Sequence, residues 1–245
     1  MRTLAKLSTV ELKLLARDPL TVLFSLALPL VTLVVMGGVF GNQPSPEVWQ
    51  GVGAMSYYVP AYVGLVVAAL ALISLPTAIA GDRERGVLKR FQASGLSAPV
   101  VVGSQVVVLY VVGVVSSLLL VGVASLIYTV EWPQSLLGVI GAVTLSALAL
   151  AALGVLLGAV LPTARAAQAF GVMAWFVVFI LGGAGPPYEV MTSAMRHVAD
   201  FTPLRHVVLV LHDPWLGIAA GWSWAIVVGM LVVGSVLGLL MFRWE

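Results

Sequence analysis

The stretch GDRERGVLKRFQASGLSAP, residues 81–99, holds six charged residues in nine consecutive positions: Asp82, Arg83, Glu84, Arg85, Lys89 and Arg90. The whole chain of 245 residues has only twelve basic and ten acidic side chains, so this is a local concentration rather than a general property. Val87, Leu88 and Phe91 fall at i, i+1 and i+4 and give a short helix one apolar face. Arg83, Glu84, Lys89 and Arg90 surround that face with both signs of charge. Gly95 and Pro99 break the helix. A mixed-sign ring around a small apolar patch suits docking into a cleft on a protein partner; a solvated loop accommodates it equally.

Other residue types capable of chemistry are sparse. His197, His206 and His212 lie in one connection with Asp200 and Asp213 nearby. Histidine and carboxylate groups bind zinc or transfer protons, which raises the alternative of a membrane enzyme. No spacing matches a metal motif such as H-E-x-x-H, and no G-x-S-x-G nucleophile motif or G-x-x-x-x-G-K-[ST] phosphate loop is present. No catalytic residue and no metal ligand is expected. With no cysteine, thiolate chemistry and disulfides are excluded.

The elements that must position these residues are membrane helices. The chain is 61% hydrophobic and 9% charged, against roughly 25% charged in an ordinary soluble domain. Apolar runs of about 20 residues match helices rather than barrel strands. Six segments emerge: Leu20–Phe40, Tyr57–Ala80, one within Val100–Tyr128, one within Leu136–Leu161, Gln168–Leu181 and about Leu216–Phe242. The fifth is short unless it begins near Thr163 and ends at Gly183. Pro29, Pro60 and Pro76 lie inside apolar runs and should kink them. The expectation is an all-α integral membrane protein, one domain over 1–245, with the lipid bilayer as its surroundings and no nucleic-acid partner.

Charge sets the orientation. Arg2, Lys6, Lys13, Arg17, Arg83, Arg85, Lys89, Arg90, Arg165 and Arg243 lie on one side, and only Arg196 and Arg205 on the other. By the positive-inside rule both termini and the charged segment are cytoplasmic. Trp49, Trp132, Trp215, Trp222 and Trp224 cluster at the opposite ends, as interfacial anchors do. Residues 1–19 read as an amphipathic helix with Leu4, Leu7, Leu14 and Leu15 on one face. Glu11 projects from the leucine face, either snorkelling to the interface or meeting a basic partner. Residues 182–215 are too apolar for a free loop and too interrupted for a span, so short helices dipping back into the outer leaflet are expected there. That outer end is a plausible exit gate or a structural cap. No carboxylate or lysine falls within a span, which argues against ion coupling.

The stretch DRERGVLKRFQASGLS resembles the signature of type-2 ABC exporter permeases, approximately E-R-E-x-G-T-L-x-x-L-x-x-T-P-L-S. Arg83, Glu84, Gly86, Leu88, Leu96 and Ser97 match it. Asp82 replaces glutamate, Val87 replaces threonine, and Ser94-Gly95 replaces threonine-proline. ARDPL, before the first span, is similar to the R-[DN]-P that ends the family's elbow helix. GGAGPPYEVMTSAMRHVADFTPLRHVV is similar to its region before the last span, with Thr192 where proline is common and Pro203 matching the later proline.

The resemblance implies a permease subunit that docks on a separate cytoplasmic ABC ATPase and pairs with a second copy or a sister permease, in a bacterial plasma membrane. Coupling to the ATPase would rest on Asp82, Arg83, Glu84, Arg85, Gly86, Leu88, Lys89, Arg90 and Phe91, with Glu11 and Arg17 as elbow-helix contacts. The substrate would pass along the first, second and fifth spans at the dimer seam, past Phe24, Leu28, Met36, Tyr57, Tyr62, Met173, Phe176 and Ile180. This chain would bind no cofactor; ATP and Mg would be held by the partner. An amphipathic or lipophilic substrate is expected. A membrane anchor that binds an ATPase and transports nothing is the alternative.

Overall fold

The computed structural model describes residues 23–49, 51–242 and 244. All regular elements among them are helical. Six segments of the described residues are long and apolar enough to cross a membrane: Leu23–Phe40, 54–84, Ala98–Ile127, Leu136–Val160, Ala164–Leu181 and Ser223–Met241. They are the first to sixth spans below.

The second span is the axis of the bundle, and every residue from 53 to 76 is buried. It lies against the first, third, fourth and fifth spans and against the helix Pro203–Leu216, while the sixth packs on the fourth. Its helix is continuous over 54–84, longer than the apolar run Tyr57–Ala80 alone suggested. Pro76 does not end it, because the chain widens into a π-turn at Leu70–Ser74 just before the proline. Leu75 N–H donates five residues back, to Leu70 O, and Pro76 has no N–H to offer the carbonyl that follows. A second π-turn, Leu23–Ala27, precedes Pro29 in the same way.

The carbonyls left by the π-turn are covered by glycines. A Cβ on Gly154 of the fourth span would collide with Ala71 O, and one on Gly171 of the fifth with Leu72 O. At Gly158 a Cβ would lie 2.8 Å from Ile79 Cβ. Gly234 and Gly238 let the sixth span close on Ala152 and Val155 of the fourth. Small-residue pairs here therefore pack helices within one chain, by close backbone approach.

Two boundaries differ from the hydropathy reading. The fifth span begins at Ala164, capped by Thr163, whose Oγ1 accepts Ala166 N–H at 3.1 Å; its 18 residues reach about 27 Å. The sixth begins at Ser223, not near Leu216. Leu216 ends Pro203–Leu216, where Gly217 takes φ 72° and terminates that helix. The region 182–215 forms a 3₁₀ turn at Tyr188–Val190 and the helices Ser193–Ala199 and Pro203–Leu216. They sit at the far end of the bundle, away from the charged segment.

Candidate functional site

Helix geometry divides the charged segment in two. The second span ends at Glu84, Gly86 takes the left-handed conformation at φ 67°, and a seven-residue helix, Val87–Ala93, follows. Only glycine adopts this turn without strain. Gly95 ends the short helix at φ 77°, which proline, held near −65°, could not do.

Before Gly86, Asp82 is buried and Arg83 half-buried, while Glu84 and Arg85 are exposed and bond back to the bundle. Asp82, 8% exposed, pairs with Arg85 at 2.9 Å and accepts from Gln105 Nε2 of the third span at 3.3 Å. Arg83 Nη1 donates to Gly158 O and Ala159 O at 2.9 and 3.2 Å, and its Nη2 to Leu161 O. Those are carbonyls at the end of the fourth span, where the helix leaves acceptors unpaired and a cation is favoured. Glu84 Oε2 accepts Ala164 N–H at 3.0 Å, at the start of the fifth span, where an anion is favoured. One dipeptide thus clamps both sides of the turn joining the fourth and fifth spans.

Residues after Gly86 form a surface. Leu88 is fully buried and anchors the short helix, Val87 and Phe91 are half-buried, and Lys89 and Arg90 are exposed. Gln105 and the turn at 161–164 belong to this site although only Asp82, Arg83 and Glu84 stand out in the sequence. The signal for Gln105 was available: it is the one amide side chain in the third span.

The expected pathway residues fall into two sets. Met173, Phe176 and Ile180 lie exposed on the fifth span, and Leu28 and Met36 are half-buried on the first. Phe24 is buried edge-on to Trp175 at 5.1 Å and Phe176 at 6.2 Å. Tyr57 and Tyr62 instead lie wholly inside the chain. The Tyr57 hydroxyl donates to Glu189 at 3.4 Å, and the Tyr62 ring stacks on Tyr58 at 5.5 Å. Glu11 and Arg17 lie outside the described residues.

The far-end histidines are held apart in separate bonds. His206 bridges Asp200 O at 2.8 Å and Ser223 Oγ at 3.3 Å, His212 Nε2 lies 2.9 Å from Tyr57 O, and His197 is exposed. Burial lowers the His212 pKa to about 4, so the ring is neutral and donates to that carbonyl. Arg205 covers the Tyr188 ring with its guanidinium carbon 3.7 Å from the centroid. Among the described residues no His, Cys, Asp or Glu grouping could hold a metal ion.

A family model described as ABC-2 type transporter matches residues 4–213. No curated protein matches the chain.

Proposed function

The chain belongs to the ABC-2 type transporter family, and from that premise we propose that it is the permease of an exporter driven by a separate ATPase. Members of this family form the membrane-spanning part of an ABC transporter, are not themselves catalytic, and generally work with a cytoplasmic ABC ATPase. In our reading the cargo is amphipathic or lipophilic and moves outward. ATP and Mg bind in the partner ATPase. Both termini and the charged segment face the cytoplasm of a bacterium, as the ten-to-two split of basic residues supports.

The observation that carries this reading is the two-sided charged segment. Lys89 and Arg90 present an exposed surface for the ATPase, and Arg83 and Glu84 are bonded to the turn between the fourth and fifth spans. A push on Val87–Ala93 is thereby delivered to that turn through Gly86. Glu11 and Arg17 keep the contact role that the family resemblance implies for them. Two permeases, identical or sister chains, meet along the exposed faces of the first and fifth spans, with Met173, Phe176 and Ile180 toward the pathway. The helices of 182–215 dip into the outer leaflet and close its exit.

The test is co-expression with the associated ATPase, followed by co-purification and hydrolysis assays in lipid. The pair of substitutions Lys89→Ala and Arg90→Ala removes co-purification. Arg83→Ala retains the complex but uncouples hydrolysis from substrate efflux. Normal efflux in both variants would refute the coupling role, and hydrolysis without efflux in the unmodified complex would make the chain an anchor.

A further inference from the structure

A cavity of about 300 Å³ opens between the third and fourth spans, apart from both the charged segment and the faces assigned above to pairing. We propose that it binds one acyl chain of a glycerophospholipid from the leaflet opposite the charged segment, as a resident rather than a passing neighbour. The inference stands apart from the transport reading and needs only that the six helices span a bilayer.

Its dimensions argue for a lipid chain. Along the third span it reaches from Val121 near the far end down to Tyr110, which at 1.5 Å per residue is about 16 Å. That is about half of a hydrocarbon core roughly 30 Å thick, one leaflet deep. At its rim stand Pro133 and Trp132, the latter 76% exposed as an interfacial tryptophan is.

Its chemistry argues against a polar occupant. The Tyr110 hydroxyl is engaged with Thr144 Oγ1 at 2.9 Å, and Trp215 Nε1 donates to Glu131 O at 3.1 Å. Ser117 Oγ, buried without a hydrogen-bond partner, is too little for an ordered water, which needs two to four polar neighbours. The remaining wall is hydrocarbon, much of it from Val114, Val139 and Val143. It is also continuous with the lipid-facing surface, since Leu118 and Ile140 line the cavity and are 66% and 51% exposed. An empty apolar cleft beside lipid forfeits dispersion contacts that a chain entering from the adjacent leaflet supplies.

The test is reconstitution of the full chain in phospholipid vesicles containing a phosphatidylcholine with a diazirine in one acyl chain. After illumination, labelled peptides are mapped by mass spectrometry. Labelling at 114–121 and 139–143 is expected to exceed that on the exposed face of the sixth span by about tenfold, a 1.4 kcal/mol preference. It should saturate as the probe fraction rises. Val139→Trp, which fills the cavity, should abolish the excess without changing the sixth span; Ser117→Leu serves if the first variant does not fold. Even labelling of all spans, a linear rise without saturation, or an excess that survives both variants would overturn the proposal.

Discussion

Arg83 occupies a site that only a forked donor fills, since three carbonyls from the end of the fourth span converge on it. Arg83→Ala is expected to lower stability by about 1.5–3 kcal/mol, the range for hydrogen bonds to a charged group, read as thermal unfolding in detergent. Arg83→Lys should not rescue it, because an ammonium lacks the fork whose two nitrogens reach these carbonyls. Arg90→Ala, on the exposed helix surface, should leave unfolding unchanged. His212 makes a separate prediction. Its folded pKa of about 4 lies below the ordinary 6.5, so the unfolded chain takes up the proton first as pH falls. Stability is therefore full above pH 6.5 and declines toward pH 4, by about 3 kcal/mol at 1.36 kcal/mol per unit. His212→Gln keeps a donor for Tyr57 O and should flatten that part of the pH profile. Neither role was legible from residue type: arginine in a charged run and histidine near an interface have many uses, and only their partners distinguish them.

At the scale of elements, the π-turn at Leu70–Ser74 and the glycines that cover it form one unit. Gly154→Ala or Gly171→Ala forces a methyl against a backbone carbonyl that cannot rotate away, and overpacking of this kind costs about 1–3 kcal/mol. Gly122 and Gly141 lie in the third and fourth spans, and a methyl added at either would meet nothing within 4 Å. Alanine there should raise stability by up to about 1 kcal/mol through helix propensity alone. Unfolding midpoints of the four variants separate packing glycines from incidental ones. Hydropathy located all six spans, because burial in lipid demands long apolar runs. It misplaced the start of the sixth because Leu216, Ile218, Ala219 and Ala220 are as apolar as a span. The break there comes from Gly217 and from Asp213, whose carboxylate accepts Gly221 N–H and Trp224 Nε1 at 3.2 and 2.8 Å.

For the whole molecule, the second span is an enclosed axis and the first and fifth carry exposed apolar faces. Val31, Val34 and Val35 on the first, with Met173, Phe176 and Ile180 on the fifth, are the surfaces we assign to a second permease. The chain has no cysteine, so single-cysteine variants report cleanly. Met173→Cys and Ile180→Cys should cross-link two chains in membranes, while Val232→Cys on the sixth span should not. Equal cross-linking at all three would place the seam elsewhere. Tyr57 and Tyr62, buried within one chain, can reach a pathway only if the far-end helices separate from the second span. Tyr57→Phe removes the bond to Glu189 and tests whether that contact holds the end closed, through a higher basal efflux rate.

Composition and local pattern were enough to establish a helical membrane protein, the number of its spans, and the one segment that is exceptional. Those properties are sums over neighbouring residues, and lipid enforces them residue by residue. The quoted signature also pointed to the family before any fold was known. It took the packed helices to reveal that GDRERGVLKRF is two devices joined at Gly86, one clamping the turn between spans and one facing outward. That division depends on where the ends of the fourth and fifth spans lie, 75 to 80 residues away in the chain. Sequence spacing cannot supply the rotation that brings a guanidinium to one helix end and a carboxylate to the next.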